Sequence, residues 1–459
     1  MPHPRPITYK SCEVCEGIDR KGFPRPIIGS QIPRHQPGDI NKIPVHSWYS
    51  FTLSYSPKFV DYVIRSKKIS AEDIILDPFV GAGTTCVEAK LKGIESAGID
   101  ANDFMVFAAG VKTSWDIDLE QFKEIAMGLI QNVTPIVKSL KINSKQKVLP
   151  DFLSKNDRSQ AKGLADRLEL TPLLERYFSP LPARKLLVIK KAISEFESSK
   201  IRDLLFLSLA SILVPCSNVR FGPGFGLIKP KADVDVLSYL KEKIERIIAD
   251  LTFVQTLDHD LPVSVCLGDA RKSSKALNGR FFDHVITSPP YPGDHEYTRH
   301  TRLELAFLDF VDDMESIRAI KKRMIRGSTR NVYVEDKEVE HIRKFEEITR
   351  IIDQVQLRVK ETKGTSGFEK LYHRVVGEYF GGMFLSLQQI YEKLETGGTV
   401  ALLVGDSHGF KMVHIETARL LKLLAEDIGF KIQDIELWQN KKSTAHSFYL
   451  PENILNLVK

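Results

Sequence analysis

The sequence predicts an α/β fold, a parallel sheet flanked by helices and interrupted by two insertions. Three observations carry this. Short apolar strands end on polar or glycine-rich turns at 73–77, 96–99 and 282–286. Helical periodicity dominates 118–250, and alternating helices and strands return after about residue 376. The chain has 459 residues, 42% hydrophobic and 27% charged, which suits a globular protein with a sizeable core and more than one unit. It has no run of eighteen apolar residues to span a membrane, and its N-terminus lacks the apolar core of a secretory signal. A cytoplasmic location with no membrane partner is therefore expected.

Residues 1–45 hold eight of the 23 prolines and read as an extended arm. Cys12 and Cys15 form one CxxC there. His35 and His46 could complete a tetrahedral site, but no second CxxC follows, so the expectation is free thiols and no metal. A core segment spans 46–114. Ser56 is a helix N-cap, Pro57 suits the first helical position, and Phe59, Val60, Val63 and Ile64 form an apolar stripe. The strand Asp73–Asp77 runs into Pro78-Phe79-Val80-Gly81-Ala82-Gly83-Thr84-Thr85. A helix, Cys86–Lys92, follows and stops at Gly93; the strand Ser96–Ile99 then ends on Asp100.

Residues 115–260 read as a helical insertion, with apolar stripes at 118–140, 183–195, 201–214 and 234–250. The sheet resumes over 261–310 with strands at 262–267 and 282–286. A charged insertion occupies 311–375. The core is completed over 376–459 by helices near 383–394 and 415–428 and strands near 399–404, 432–438 and 453–458.

The glycine turn allows a ligand to approach its backbone, and the next helix offers free amides. Asp100, seventeen residues after Gly83, ends the adjoining strand, where a carboxylate can accept both ribose hydroxyls of an adenosine cofactor. Thr84 and Thr85 stand where a dinucleotide fingerprint would carry its further glycine, so a nucleoside cofactor is favoured; a purely structural turn is the plainer alternative. Thr287-Ser288-Pro289-Pro290-Tyr291 follows a buried strand. Its two prolines remove amide donors and leave carbonyls free to accept, beside an aromatic ring. Such acceptors can hold the N–H bonds of an exocyclic amino group and aim its lone pair at a methyl donor. A base would have to leave the duplex to reach them. The plainer alternative is a rigid surface loop.

Together, Asp77 to Thr85 and Thr287 to Tyr291 closely resemble the amino-methylating DNA methyltransferases, which form N4-methylcytosine or N6-methyladenine. The resemblance implies a Rossmann-like class I methyltransferase sheet, mostly parallel with one antiparallel strand. It implies S-adenosyl-L-methionine as cofactor and double-stranded DNA as substrate. Ser288, Pro289, Pro290 and Tyr291 become the catalytic segment, and the SPPY form points to cytosine N4. Asp77, Pro78, Phe79, Gly81, Gly83, Thr84, Thr85 and Asp100 become cofactor-binding. So do Asp269, whose turn resembles the one that meets the adenine amino group, and Ser56 and Pro57, near the methionine end. The segment Gly397 to Asp406 resembles the strand that walls the base pocket. A modification role in a restriction-modification or related defence system is implied, with any cognate endonuclease encoded separately.

The order, glycine turn before SPPY, is opposite to that of many cytosine-N4 enzymes, so it leaves the target-recognition region open. Candidate DNA contacts are Arg220, in the glycine-rich segment 218–226, and Lys321, Lys322, Arg323, Arg326 and Arg330, in a stretch without acids. For this stretch a solvated helix face is the alternative; for 218–226 it is an ordinary connection between helices. Other activities weighed are adenine-N6 methylation, RNA guanine-N2 methylation and a silent DNA-binding scaffold. Cytosine-C5 chemistry would use Pro215-Cys216, which instead reads as a helix end.

Overall fold

Ser56 accepts the Lys58 amide and Pro57 takes the first position of α1 (Pro57–Ser66), whose predicted stripe is buried. The structure is a computed structural model describing residues 43–140, 170–197, 199–221, 225–257, 261–277, 279–293, 295–442 and 449–459. The arm to residue 42, with Cys12, Cys15 and His35, lies outside these. Next come β1 (Ile74–Asp77), the glycine turn, α2 (Thr84–Leu91) and β2 (Glu95–Asp100). The helix α3 (Asp103–Lys112), capped by Asn102, has no sequence signature because it is apolar nearly all round.

Four helices follow: α4 (Leu119–Ser139), α5 (Pro180–Ser194), α6 (Lys200–Cys216) and α7 (Val236–Val254). Between α6 and α7, a connection in the sequence reading is a two-stranded hairpin, β3 (Val219–Phe221) with β4 (Phe225–Leu227). The core then supplies β5 (Val263–Leu267) and β6 (Phe282–Thr287). Short helices α8 (Tyr297–His300) and α9 (Arg302–Phe307) lead into α10 (Met314–Arg323) and α11 (Glu346–Glu361). The chain closes with α12 (Tyr372–Lys393), β7 (Leu394–Gly405), α13 (Thr417–Ile428), β8 (Lys431–Lys442) and β9 (Tyr449–Val458).

The main sheet has seven strands in the order β5-β2-β1-β6-β7-β9-β8. The pairs β5–β2, β2–β1, β1–β6 and β6–β7 are parallel, and β9 is antiparallel to both its neighbours. This is the Rossmann-like methyltransferase sheet that the motifs imply. Its middle strands are buried on both faces, with alternate residues going to opposite sides. Ile75, Ile286, Ala401, Leu403 and Ile454 pack with α1, while Leu76, Val285, Val400, Leu402 and Leu455 pack with α12 and α13. The strand β7 begins earlier than its apolar run suggests. A register shift against β6 takes up Gly397 at φ 85° and Gly398, where a Cβ would lie 2.8 Å from the Asp283 carbonyl oxygen.

The helical block has no core of its own. Phe122, Leu186, Leu204, Phe206 and Ile247 share one apolar cluster with Ala82 and Val87 at the glycine turn and α2, and with Phe104 and Ala108 of α3. Residues entering the core also bind this block. Asp250 of α7 accepts from the Val45 amide at 2.9 Å and Trp48 Nε1 at 3.0 Å. His46 is buried against Glu88 at 2.9 Å. The helical residues therefore form a flank of the cofactor-bearing layer rather than a separate lobe.

Candidate active site

Strands β1 and β6 are neighbours, so the glycine turn and the SPPY segment leave the same end of the sheet side by side, at the point where strand order reverses. Asp77 joins them. Its buried carboxylate accepts from Thr287 Oγ1 at 2.5 Å, Tyr55 hydroxyl at 2.7 Å and the Phe79 amide at 3.0 Å. Burial raises its pKa against the pull of those hydrogen bonds. Thr85 ties the same strands, donating to the Ile286 carbonyl at 3.0 Å. Asp77 and Thr85 thus brace the site from beneath. Gly83, at φ 84°, caps α2, and a Cβ there would come within 3.0 Å of Ala109 Cβ.

A cleft of about 790 Å³, its open mouth included, lies between these motifs. Pro78, Phe79, Gly81 and Thr84 line it from the glycine turn, and Ser288 and Pro290 from the SPPY segment. At its rim, Asp100 accepts from the Gly81 amide at 2.9 Å and the Asn102 amide at 2.8 Å. Desolvation outweighs those two bonds and pushes its pKa up to about 6. Each carboxylate oxygen keeps a further lone pair for a ligand hydroxyl. Met105, Ala270 and Ile325 add apolar wall.

Ser288 Oγ donates to the Leu403 carbonyl at 2.9 Å and lies 3.3 Å from the Tyr291 hydroxyl. Tyr291 donates in turn to Glu452 Oε1 at 2.7 Å. Its ring rests against Gly405, and the Lys441 ammonium is 5.8 Å from its centroid. Tyr291 is not among the cleft-lining residues; the aromatic lining comes from Phe51, Tyr55, Phe79 and Tyr297, and the Tyr297 hydroxyl accepts from the Tyr291 amide at 3.3 Å.

Several expected positions are displaced. From the segment before α1 it is Leu53, Ser54 and Tyr55 that face the cleft; Ser56 and Pro57 are committed to starting the helix. Asp269 is turned away, because its carboxylate holds Arg271 Nε at 2.9 Å and Nη2 at 2.7 Å, leaving Ala270 as the lining residue. The basic stretch divides, with Lys321 and Arg326 internal and Arg318, Lys322 and Arg330 toward solvent. Lys321 is buried and pairs with Glu296 at 3.2 Å. Arg326 is buried in a two-pronged pair with Asp336 at 2.8 Å on each prong. Arg323 lines the cleft, bonded to Asp103 at 2.6 Å and the Ala101 carbonyl at 3.2 Å. Arg220 and Arg330 are exposed, and Lys322 is half-exposed in a pair with Glu335 at 3.0 Å. Cys216 ends α6 with its thiol buried and its pKa pushed up to about 12, a poor nucleophile outside the cleft lining.

Residues 35–109, which contain the glycine turn and Asp100, match a family model described as DNA methylase, of the N6 and N4 type. These similarities support an amino-DNA methyltransferase family for the chain. The chain is 24% identical over 449 residues to the Type II methyltransferase M.BsoBI of Geobacillus stearothermophilus, covering 92% of this chain and 84% of that one. It is 24% identical over 433 residues to the Type II methyltransferase M.AvaI of Anabaena variabilis, covering 85% and 80%. With the Type II methyltransferase M.MvaI of Kocuria varians the identity is 24% over 310 residues, covering 63% and 64%. The family's methyl donor is S-adenosylmethionine. The cleft fits a nucleoside of that kind, with a carboxylate at its rim, apolar walls and the acceptor Ser288 at the neighbouring strand end. Among the described residues, no group of three or more His, Cys, Asp or Glu could hold a metal ion, and no helix is long and apolar enough to cross a membrane.

Proposed function

We propose that this protein is a site-specific DNA methyltransferase that methylates the exocyclic N4 amino group of a cytosine flipped out of duplex DNA. The observation that carries this reading is Ser288. It stands at the carboxyl end of β6, lines the cleft, and has the Leu403 carbonyl at 2.9 Å to take its proton. Its oxygen is left as an acceptor where an amino N–H would arrive. The SPPY form of the motif favours cytosine, and the relatives' description as Type II methyltransferases favours a modification role in a restriction-modification system.

Asp100 would hold the ribose hydroxyls of the cofactor, while Phe79, Met105 and Ile325 suit its adenine ring. When bound, S-adenosylmethionine supplies a methyl group already activated on a sulfonium. The chain's own task is positioning, worth several orders of magnitude in rate when geometry is tight. Ser288 and the Pro289 carbonyl orient the amino group. Pro290, Tyr291 and Tyr297 offer surfaces for the extruded base. The proton released on transfer passes to Ser288 or water. Arg220, Lys322 and Arg330 are the exposed cations offered to DNA phosphates.

Transfer of labelled methyl from S-adenosylmethionine to duplex DNA and to RNA tests the substrate class. Label should enter duplex DNA, and Ser288→Ala should lose at least about tenfold of that transfer, as expected for deleting one oriented hydrogen bond. The variant should still bind cofactor. Label in RNA alone would overturn the reading.

A further inference from the structure

Tyr291 is held by a residue far along the chain that no motif marks. Its hydroxyl donates to Glu452 Oε1 at 2.7 Å, and Glu452 is 1% exposed on β9, between β7 and β8. The other Glu452 oxygen accepts from Gln439 Nε2 at 2.5 Å, and Lys441 Nζ pairs with the carboxylate. Register explains the reach. Glu452 pairs with Gly405 on one side and Gln439 on the other, so the three residues form a line across the sheet. Tyr291 crosses β7 above Gly405 to meet Glu452, and a Cβ at 405 would come within 3.0 Å of the ring. The buried carboxylate is compensated by Lys441, so it can remain an anion and accept.

This arrangement decides which way the hydroxyls point. Glu452 takes the phenol proton, so the Tyr291 oxygen can only accept from Ser288, 3.3 Å away. Ser288 then has two acceptors for its single proton, Tyr291 and the Leu403 carbonyl at 2.9 Å. Whichever it uses, its oxygen presents lone pairs to the cleft. We propose that Glu452 is a positioning residue for methyl transfer, acting through Tyr291 to keep Ser288 an acceptor for the target amino group. The inference rests on the amino-methylation reading above. A glutamine at 452 could donate to the phenol oxygen, free the phenol proton toward Ser288, and consume the lone pair that the amino group needs.

The test is a cycle of Glu452→Gln, Tyr291→Phe and the double variant, in the full chain, with duplex DNA and S-adenosylmethionine. Glu452→Gln should lower kcat by about tenfold to a hundredfold, the usual range for a hydrogen bond to a charged group, and should have little effect in the Tyr291→Phe background, which has no phenol proton to turn onto Ser288. The dissociation constant for S-adenosylmethionine, read by titration calorimetry, should stay within about twofold, and the double variant should be no worse than either single one. Wild-type kcat in Glu452→Gln, or the same fractional loss in the Tyr291→Phe background, would overturn the proposal. Should Glu452→Gln fail to fold, Glu452→Asp, whose shorter carboxylate would release the phenol proton toward Ser288, takes its place in the same cycle. If the parent protein itself does not methylate DNA, the broader reading fails instead, so the two failures are distinguishable.

Discussion

Asp100 would have two duties. Two backbone amides fix its carboxylate, and the residue lines the cleft. Because burial pushes its pKa up to about 6, the ionised form that best accepts ribose hydroxyls is depleted below that pH. Cofactor affinity should be flat above about pH 7 and weaken steadily as pH falls through 6. Asp100→Asn should weaken binding by about tenfold or more, as expected for hydrogen bonds to a charge, and remove this part of the pH dependence. Titration calorimetry across pH 5 to 8 checks both. An unchanged affinity in the variant would remove Asp100 from the ligand. The sign for folding is opposite to that of a salt-bridged acid. Its raised pKa means that the apoprotein's stability falls as pH rises from the ordinary carboxyl range toward 6.

At the scale of elements, α10 and the segment after it divide into an inner and an outer half. Lys321 and Arg326 hold Glu296 and Asp336, while Lys322 and Arg330 remain toward solvent. Arg326→Ala should cost about 3–5 kcal/mol of stability, because it strands a buried carboxylate. A large drop in melting temperature would show this. Neutralising Lys322 and Arg330 should instead leave melting nearly unchanged and reduce the salt slope of DNA binding by about one per lost phosphate contact. Identical salt slopes for that pair and the parent would take this face out of the interface. The division was illegible in sequence. Six cations in a row without acids look alike, since their partners Glu296, Glu335 and Asp336 come from outside the run. The same limit applies to Asp269, whose motif position was plain but whose capture by Arg271, two residues on, was not.

For the whole molecule, the sheet and its motif ends were legible because each signal is local. A short apolar strand, a glycine turn and a proline pair are written in consecutive residues. What the sequence hid lies across distance. The wall at Arg323 to Ile325, Tyr297, and Glu452 beneath Tyr291 enter the site only once the strands are ordered and α10 is folded against the cleft. The sharing of one apolar cluster between the helical block and α3 was hidden for the same reason. The fold brings the cleft and Ser288 to one end of the sheet, where the proposed reaction would mark a single atom of the base. Nucleoside mass spectrometry of duplex DNA incubated with the protein and labelled S-adenosylmethionine reads that atom directly. The label should appear in N4-methylcytosine. N6-methyladenine would contradict the assignment drawn from Ser288, and DNA without label would contradict DNA methylation by this protein.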